Sequence, residues 1–473
     1  MQISSLKRNS IKTKLIALIL TAALVLSGVT PSFAAKDKEE MVSSAEISWE
    51  DAPKLSGTSA ILMDAGSGDI LYEKNGDERR DPASITKILT CLVALETLDI
   101  KKEVTVDYDV EKMGHVLELK QGEKITVENL LYGMMVYSAN DAAQILAIES
   151  GGTIENFCKM MNKRAEKCGA MSTNFTNPNG LNTYGQENHR TTAYDIALIT
   201  KEAMKNKTFR KLVSTVEYTI PATNKSKERK LKSTNLCLYE EKKTVEINDK
   251  KVPFKYEGTL GVKTGSTGTA GECFCGMAKR DGTVLIAISL NAATPEERFS
   301  DVMQLWDYGF SKYYTYNAAK GKTMLEEVKV KHGEKAKIEV GLAENLDITL
   351  NKGYDSKNIK TKIEKDVKKI ESPVKVGQKV GKVIVYKEGK KVAEEELITL
   401  EASEKGGILS YVGIADEERL GFFLTILLII VILIGGRMLY VKYRRKKRQQ
   451  RKAQRQRNVR RREWDKEKNP FDK

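Results

Sequence analysis

"DPASITKILT", residues 81–90, places a serine and a lysine three residues apart at the predicted start of a helix. Asp81 suits the N-cap position, and Pro82 suits the first helical position, where an N–H would have no intrahelical acceptor. Ser84 then falls in the first turn, where backbone N–H groups are free, and Lys87 lies one turn later on the same face. We therefore expect a hydroxyl, an amine and a backbone donor to meet at one place.

The Ser-x-x-Lys pattern alone is weak evidence, because it occurs three times in this lysine-rich chain, at Ser4, Ser84 and Ser372. An exposed pair on a solvated helix face is the ordinary interpretation of a single match. Two further patterns favour the occurrence at Ser84 and Lys87. Ser-Ala-Asn at 138–140 lies between two predicted helices, and Lys-Thr-Gly at 263–265 occurs once, on a predicted strand. The ordered set, each pattern in its required context, is specific and predicts nucleophilic serine chemistry.

With these three patterns the sequence resembles the penicillin-binding proteins and serine β-lactamases. Within them it is most similar to the low-molecular-mass, serine-type D-Ala-D-Ala carboxypeptidases. The segments that carry the resemblance lie between residues 55 and 315 and read "PASITKILT", "YSANDAA", "NPNGL", "HRTTAYDIA" and "GVKTGSTGTAGECF". Two departures are visible: the family's usual "NPHGL" has Asn179 in place of histidine, and the C-terminal anchor is a full apolar span in place of an amphipathic helix.

The resemblance implies a role for each residue of the three patterns. Ser84 would form an acyl ester with the substrate, and Lys87 would accept its proton, for which it must be neutral. Ser138 would relay a proton to the leaving amine, and Asn140 would hold Lys87. The N–H groups of Ser84 and of the residue after Gly265 would form the oxyanion hole. The substrate would bind along the strand. Lys263 and Thr264, with Thr267, would hold its carboxylate, Gly265 would allow its close approach, and Ser266 would supply the second oxyanion donor.

The function that this resemblance implies is removal of the terminal D-Ala from peptidoglycan stem pentapeptides, which limits cross-linking during cell-wall synthesis. β-Lactam antibiotics are expected as covalent inhibitors, and no metal or other cofactor is expected. A class A-like β-lactamase is one alternative, but it needs a carboxylate for deacylation, usually in a Glu-x-x-x-Asn loop. We expect no Glu-x-x-x-Asn loop between Asn140 and Lys263, because "NFTNPNGLN" at 174–182 occupies the stretch where that loop would lie. A non-catalytic, penicillin-sensing or wall-binding protein is the other alternative.

Both ends of the chain carry targeting patterns. Four cations, a short apolar run and small residues predict a secretory signal peptide cut near Ala34, with an uncleaved anchor as the alternative. The apolar run 420–441 is long enough to cross a bilayer. The tail, 442–473, has sixteen Lys or Arg against four Asp or Glu. Because positive charge marks the cytoplasmic side, we expect the C-terminus inside and residues 35–419 outside the cell membrane.

The net charge of +15 belongs to these ends. Residues 1–34 carry +4 and the tail carries +12, which leaves −1 for residues 35–441. A basic tail beside a span contacts anionic lipid more often than RNA, so membrane lipid is the expected partner and nucleic acid is not. The six cysteines have apolar neighbours and are interpreted as core residues. The three histidines are far apart, which disfavours zinc and Ser-His-Asp chemistry.

Between the ends, a strand pair, then helices, then three strands predict an α+β domain with one antiparallel sheet and a helical cluster. With the resemblance, this implies a β-lactamase/transpeptidase-like domain with five strands. Alternating apolar and polar residues then predict a small all-β domain before one C-terminal transmembrane helix. The predicted segments are signal peptide 1–34, polar leader 35–54, catalytic domain 55–318, β-rich domain 319–401, stalk 402–419, transmembrane helix 420–441 and basic cytoplasmic tail 442–473.

Overall fold

The structure, a computed structural model, describes residues 52–110, 112–181, 188–247 and 250–468. The predicted signal peptide, nearly all of the polar leader and the end of the basic tail lie outside the described residues.

The strands that these residues form are β1 Ser59–Asp64, β2 Ile70–Lys74, β3 Glu103–Thr105, β4 Lys124–Thr126, β5 Glu217–Ile220, β6 Arg229–Lys232, β7 Thr244–Ile247, β8 Lys250–Pro253, β9 Thr259–Thr267, β10 Gly271–Arg280, β11 Thr283–Ala292, β12 Tyr313–Ala319, β13 Glu326–Lys331, β14 Lys337–Gly341, β15 Leu346–Asn351, β16 Ile359–Lys365, β17 Lys369–Glu371, β18 Lys379–Lys387 and β19 Lys390–Thr399. The α-helices are α1 Lys87–Thr97, α2 Val127–Val136, α3 Asn140–Gly151, α4 Ile154–Lys167, α5 Ala193–Ala203, α6 Lys207–Ser214, α7 Pro295–Lys312 and α8 Arg419–Lys468. Short 3-10 helices lie at Ala83–Thr86, Leu236–Leu238, Ser356–Asn358, Ile408–Val412 and Asp416–Glu418.

The first domain is built on an antiparallel sheet of five strands in the order β2-β1-β11-β10-β9. The hairpin that opens the domain therefore pairs with the three strands that close it, which confirms the predicted fold class. Both faces of the central strand β11 are buried, and its side chains alternate between two layers. Ile286 and Ile288 face the helical cluster, whereas Leu285 and Ser289 face α7.

The helical cluster is centred on α1, whose first eight residues, Lys87–Ala94, are all buried. An α-helix in the middle of a domain is covered on every side, so its polar side chains lie in the core along with its apolar ones. α1 contacts α3, α4 and α5, and its N-terminal end faces β9. The fold thus places the buried amine of Lys87 at the junction of the helical cluster and the sheet edge.

The predicted N-cap at Asp81 is wrong. The 3-10 helix Ala83–Thr86 precedes α1, and its N-cap residue, Pro82, accepts no side-chain capping bond. The Asp81 carboxylate instead pairs with Arg190, 3.1 Å away, on the segment that precedes α5. An ion pair to a distant segment has replaced the local cap, and Ser84 therefore lies in a 3-10 turn before α1 and not in the α-helix.

The second domain is a β structure whose main sheet has the strand order β16-β18-β19-β14-β13-β17. β12 begins directly after α7 and pairs with β15, so the chain passes into this domain without a linker. Buried Asp64, at the end of β1, accepts hydrogen bonds from the hydroxyls of Thr315 (2.8 Å) and Thr349 (3.0 Å). These bonds join the two domains, and burial raises the pKa of Asp64.

The segment predicted as a stalk, 402–419, packs against the β domain. Ser403 is buried and exchanges backbone hydrogen bonds with Val374 at 2.8 and 3.1 Å. Gly406 donates to the carbonyl of His332 at 2.8 Å. The polar backbone groups of this segment find partners at the edge of the domain, which is why the segment does not extend away from it.

Within the part of the chain that the structure describes, one helix is long and apolar enough to cross a membrane. This helix is α8, and it continues without interruption from the apolar run into the basic tail.

Candidate active site

The nucleophile turn, Ala83–Thr86, holds Ser84 at the edge of the central sheet. Ala83 has a φ of +48°, a conformation that is uncommon for a residue other than glycine and is concentrated at functional sites. The hydroxyl of Thr86 donates to the carbonyl of Ala83 at 2.8 Å and closes the turn. Ile85 is fully buried and anchors the turn in the core.

Lys87 is fully buried, and three oxygens surround its Nζ atom. The Oγ of Ser84, the Oδ1 of Asn140 and the carbonyl oxygen of Asn179 are each 2.7 Å away. Burial, and secondly the charge of Lys263, lowers the pKa of Lys87 well below its ordinary value, although the nearby Asp141 opposes this shift. An amine in this environment is neutral over a much wider pH range than an exposed lysine.

The second pattern lies between α2 and α3, as predicted. Ser138 has a φ of +67°, and its hydroxyl accepts a hydrogen bond from Lys263 at 2.9 Å. Asn140 is the first residue of α3, and its Nδ2 donates to the carbonyl of Met113 at 2.7 Å. That bond fixes the orientation of the amide and directs its oxygen towards Lys87.

The third pattern lies on β9, the edge strand beside the nucleophile turn. Lys263 is fully buried, and it donates to Ser138 and to the carbonyl of Thr264, both at 2.9 Å. Burial, and then the charge of Arg298, lowers the pKa of Lys263 to about 7. The Oγ1 of Thr264 lies 2.6 Å from that of Thr234. The strand thus presents an amine that contacts Ser138 and, at the next residue, a hydroxyl paired with that of Thr234.

Gly265 allows the close approach of β9 to the nucleophile. A Cβ atom at this position would lie 3.0 Å from the backbone nitrogen of Ser84 and 3.0 Å from the carbonyl of Pro82. The next two residues direct their hydroxyls elsewhere. Ser266 donates to Glu272, and Thr267 accepts from the N–H of Ala270 at 3.0 Å. These two side chains therefore stabilise the β9–β10 turn in the structure.

Two participants in the site, Thr234 and Arg298, lie outside the segments that carry the resemblance. The Asn179 carbonyl and His189 lie within "NPNGL" and "HRTTAYDIA", but no role was predicted for either of them from the sequence. Thr234 belongs to Ser-Thr-Asn at 233–235, one of several Ser-x-Asn matches, and it lies on the excursion between α6 and β9. Arg298, on α7, donates to the carbonyl of Gly265 at 3.1 Å and pairs with Glu272. Its contact with the strand beside Lys263 could have been found only from the three-dimensional arrangement.

His189 lies beside the nucleophile turn without contacting Ser84. Its Nδ1 accepts from the N–H of Thr176 at 3.0 Å, and its Nε2 lies 2.8 Å from the hydroxyl of Thr86. Burial, followed by the charges of Arg190 and Lys87, lowers the pKa of His189 to about 3. The ring is therefore neutral, and with Nδ1 as acceptor the proton resides on Nε2 and is donated to Thr86. His189 supports the turn and is not placed as a base for Ser84.

The expectation of no Glu-x-x-x-Asn match was wrong, because Glu202 and Asn206 have this spacing. Glu202 accepts from Arg164 at 2.9 Å near the end of α5, and Asn206 caps α6 by accepting from the N–H groups of Thr208 and Phe209. Neither side chain contacts the nucleophile turn. The match is part of a helix connection and supplies no deacylating carboxylate.

Gly180 provides a test of the site's packing. Its φ is +86°, and a Cβ atom there would lie 1.8 Å from the carbonyl oxygen of Ala83. We expect Gly180→Ala to displace the nucleophile turn and to slow acylation by a fluorescent penicillin about 100-fold, the usual effect of a 1 Å misplacement. Gly282→Ala is the matched control, because Gly282 has a φ of +87° and open space around it. Equal labelling rates for the two variants would contradict the packing argument.

A Ser-x-x-Lys nucleophile, an inter-helix Ser-x-Asn and a Lys-Thr-Gly strand on this sheet define a serine hydrolase of the penicillin-binding type. Comparison with known proteins narrows the class. Residues 46–294 match the family model of the D-alanyl-D-alanine carboxypeptidases, and the chain belongs to that family. Residues 314–405 match the C-terminal domain of penicillin-binding protein 5.

Individual relatives agree with the family match. The chain is 33% identical over 406 residues to the D-alanyl-D-alanine carboxypeptidase DacF of Bacillus subtilis, which covers 84% of this chain and 97% of that protein. It is 30% identical over 376 residues to DacC of Escherichia coli, covering 76% and 88%. The structure of penicillin-binding protein 5 from Haemophilus influenzae superposes with a TM-score of 0.58 at 27% identity, over 75% of this chain and 99% of that chain.

Proposed function

We propose that this protein removes the terminal D-Ala from peptidoglycan stem pentapeptides through an acyl-enzyme on Ser84. The observation that carries the proposal is the set of contacts made by the amine of Lys87. Two of its three partners, the Asn140 amide oxygen and the Asn179 carbonyl, can only accept hydrogen bonds. A neutral amine has two N–H groups, so both are used, and its lone pair remains for the hydroxyl of Ser84.

This arrangement makes Lys87 the general base. The other acceptor near the hydroxyl of Ser84 is the carbonyl of Asn179, which at 3.5 Å is too distant for a strong bond. When the Oγ of Ser84 attacks the carbonyl carbon of the penultimate D-Ala, its proton passes to the Nζ of Lys87. The oxyanion forms beside the N–H of Ser84, with the N–H of Ser266 as the proposed second donor.

We assign the completion of the proton transfer to Ser138. Its hydroxyl accepts from Lys263, so its own proton is free to move to the nitrogen of the leaving D-Ala. We propose that Ser138 in turn recovers the proton that Lys87 took from Ser84. The C–N bond breaks, and free D-Ala leaves an ester on Ser84. Water then attacks the ester, Lys87 again accepts a proton, and the tetrapeptide is released with Ser84 regenerated.

We assign recognition of the substrate's terminal carboxylate to Lys263 and Thr264. The buried amine of Lys263 supplies positive charge. The hydroxyls of Thr264 and Thr234 are bonded to each other, which leaves one O–H of the pair to donate to the carboxylate. Penicillins carry a carboxylate next to a reactive ring carbonyl and fit the same contacts, so we propose them as covalent inhibitors. Gly265 admits the substrate strand beside β9, and Thr267 supports the turn that holds this edge.

The structure gives the β-lactamase alternative little support. Within the described residues, the hydrogen bonds of Ser84 and Lys87 go to no carboxylate. The direct test is to incubate the purified protein in detergent with a stem pentapeptide and to measure free D-Ala and tetrapeptide. We expect both in equal amounts from a D-Ala-D-Ala terminus and neither from D-Ala-L-Ala. Rapid penicillin turnover without D-Ala release would favour the β-lactamase, and stable acylation without D-Ala release would favour a penicillin sensor.

Carboxylate binding at Lys263 predicts a pH dependence. With a pKa of about 7, Lys263 loses its charge as the pH rises through neutrality, and kcat/KM for the pentapeptide should fall. A pentapeptide with a C-terminal amide lacks the carboxylate and should not show this fall. The measurement is the ratio of kcat/KM for acid and amide between pH 6 and pH 9, which should decrease with pH. A constant ratio would show that Lys263 does not bind the carboxylate through its charge.

We also propose that α8 anchors the protein as a single-pass span, with the catalytic and β domains outside and the basic tail in the cytoplasm. The charge of the tail supports this orientation. Protease added to intact, wall-stripped cells should remove the two domains and leave a small fragment that contains the tail. Permeabilised cells are the control, because there the fragment should also be degraded. A protected ectodomain in intact cells would reverse the orientation.

A further inference from the structure

A basic surface lies on the β domain next to the start of α8. We call it the lysine face and define it by Lys329 and Lys331 on β13, Lys337 on β14 and Lys369 on β17. All four side chains are exposed and line a cavity of about 420 Å³. One carboxylate, Glu418, also lines this cavity. The lysine face therefore surrounds a space large enough for a small anionic group.

The strand register places three of these lysines side by side. Lys329 lies opposite Lys337 in the pair β13–β14 and opposite Lys369 in the pair β13–β17. Lys331 is two residues further along β13 and points to the same side. Like charges in directly opposite positions are unfavourable for a sheet. Folding alone does not explain this row, and an anionic ligand would offset the repulsion.

Carboxylates near the lysine face neutralise only part of it. Glu327 pairs with Lys337 at 2.6 Å. Glu371 lies opposite Lys331 in the register, and Glu418 accepts from the backbone N–H of Ala415 at 3.3 Å. Lys337 of the row is thus paired, and Lys329 and Lys369 carry the positive charge that remains at the cavity.

The cavity is lined by a residue close to the start of the apolar run, which determines how far the cavity lies from a membrane crossed by that run. Glu418 lines the cavity, and the apolar run begins at Leu420, two residues later. Two residues of helix rise about 3 Å. The head-group layer on each side of a bilayer is about 5 to 8 Å thick. If α8 crosses the membrane from Leu420, the cavity lies at the level of the lipid head groups.

Exposed apolar residues lie on the helix that contributes Ser410 and Tyr411 to the lining of the cavity. On the 3-10 helix Ile408–Val412, Ile408 is 89% exposed, Tyr411 61% and Val412 73%. Tyr411 stacks on His332 with ring centroids 4.6 Å apart, and both residues line the cavity. The Nδ1 of His332 is buried and has no hydrogen-bond partner among the described residues. Tyrosine and aliphatic side chains beside cationic ones are the composition of a membrane interface.

We propose that the lysine face and the 3-10 helix Ile408–Val412 bind an anionic phospholipid of the outer leaflet. The lysines contact the phosphate of the head group, and Ile408 and Val412 contact the upper part of the acyl chains. The proposal rests on the orientation proposed above for α8. A lipid bound there restricts the rotation of the ectodomain about its anchor, because it adds a second point of attachment to the membrane.

The test compares lipid binding by two triple variants of the full-length protein in neutral detergent. Lys329→Gln/Lys331→Gln/Lys369→Gln removes three charges from the lysine face. The matched control, Lys357→Gln/Lys360→Gln/Lys390→Gln, removes three exposed charges from the part of the domain around β16, at the opposite edge of the sheet. Native mass spectrometry after incubation with phosphatidylglycerol or phosphatidylcholine measures the retained lipid. Penicillin labelling, which uses none of these residues, verifies that each variant is folded.

We expect the wild-type protein and the control to retain phosphatidylglycerol in preference to phosphatidylcholine. The basic tail is the same in all three proteins and contributes an equal background of bound lipid. Above that background, the lysine-face variant should bind phosphatidylglycerol roughly tenfold or more weakly, since each lysine near an anionic surface contributes to the attraction. Equal binding by the two triple variants would overturn the proposal.

Competition by two soluble phosphate compounds distinguishes a lipid ligand of the lysine face from other phosphate-containing ligands. Displacement of phosphatidylglycerol by millimolar inorganic phosphate would assign the face to free phosphate and contradict the proposal. Tighter binding of a soluble glycerol phosphate polymer would assign it to a wall polymer and also contradict the proposal.

A second variant, Ile408→Ser/Val412→Ser, tests the contact with the acyl chains. It should weaken retention of phosphatidylglycerol, and unchanged retention would show that no acyl chain lies there. If the protein binds lipid but releases no D-Ala, the proposed enzymatic function is refuted and the lipid proposal stands.

Discussion

Ser84→Ala should abolish both D-Ala release and acylation by penicillin. The amine of Lys87 lies 2.7 Å from the Ser84 hydroxyl, whereas the hydroxyl of Ser138 accepts a hydrogen bond from Lys263 and that of Thr86 donates to the carbonyl of Ala83. Removal of the nucleophile in a serine peptidase lowers kcat by about a factor of 10⁶, which places the rate below ordinary detection. The measurements are D-Ala release from the pentapeptide and labelling by a fluorescent penicillin, on protein of unchanged melting temperature.

Ser372→Ala is the matched control for this result. Ser372 heads another Ser-x-x-Lys match in the chain, but its hydroxyl donates to the carbonyl of His332 at 2.6 Å in the β domain. We expect this variant to keep full activity. Loss of activity in Ser372→Ala, or D-Ala release by Ser84→Ala, would contradict the assignment of the nucleophile.

Lys87→Met should lower the rate of acylation by about two to four orders of magnitude, which is the usual contribution of a positioned general base. Methionine fills nearly the same volume in the core without supplying a base, so the packing of α1 should persist. The variant separates proton transfer from substrate recognition. KM for the pentapeptide should change little, because the carboxylate contacts of Lys263 and Thr264 remain.

Lys201→Met controls for the loss of a lysine from a desolvated position. Lys201 lies on α5, its pKa is lowered by burial, and its amine donates to the carbonyl of Gly66 at 3.2 Å. We expect normal acylation from this variant. If Lys87→Met acylates as fast as Lys201→Met, the base is a group other than Lys87.

The sequence was sufficient to predict the central sheet, and its three patterns contain Ser84, Lys87, Ser138, Asn140 and Lys263, which the structure brings together. Apolar runs bounded by Gly-rich turns predicted β1, β2 and β9–β11, because strands of this kind are recognisable from local alternation. Ser84, Ser138 and Lys263 are distant in the chain, and no local property brings them together. Their convergence was predictable only because three patterns occurred in the expected order, which is the evidence of family resemblance.

Other parts of the site depend on tertiary contacts that leave no local signal. The Asn179 carbonyl is a backbone atom, so no residue type marks it as a partner of Lys87. Thr234 follows β6 in a peripheral excursion, and its hydroxyl meets that of Thr264, 30 residues later in the chain. The local sequence favours Asp81 as a helix cap, but its carboxylate pairs with Arg190, which is distant in the chain. Tertiary pairing here replaced the local preference.

The most direct test of the account is to locate the covalent adduct formed by a penicillin on the wild-type protein. The protein is treated with the antibiotic, digested, and analysed by tandem mass spectrometry. We predict one penicilloyl group, on the Oγ of Ser84, and its loss when a D-Ala-D-Ala peptide is added first at saturating concentration. An adduct on Ser138 or Ser372, or no adduct on a protein that releases D-Ala, would contradict the account.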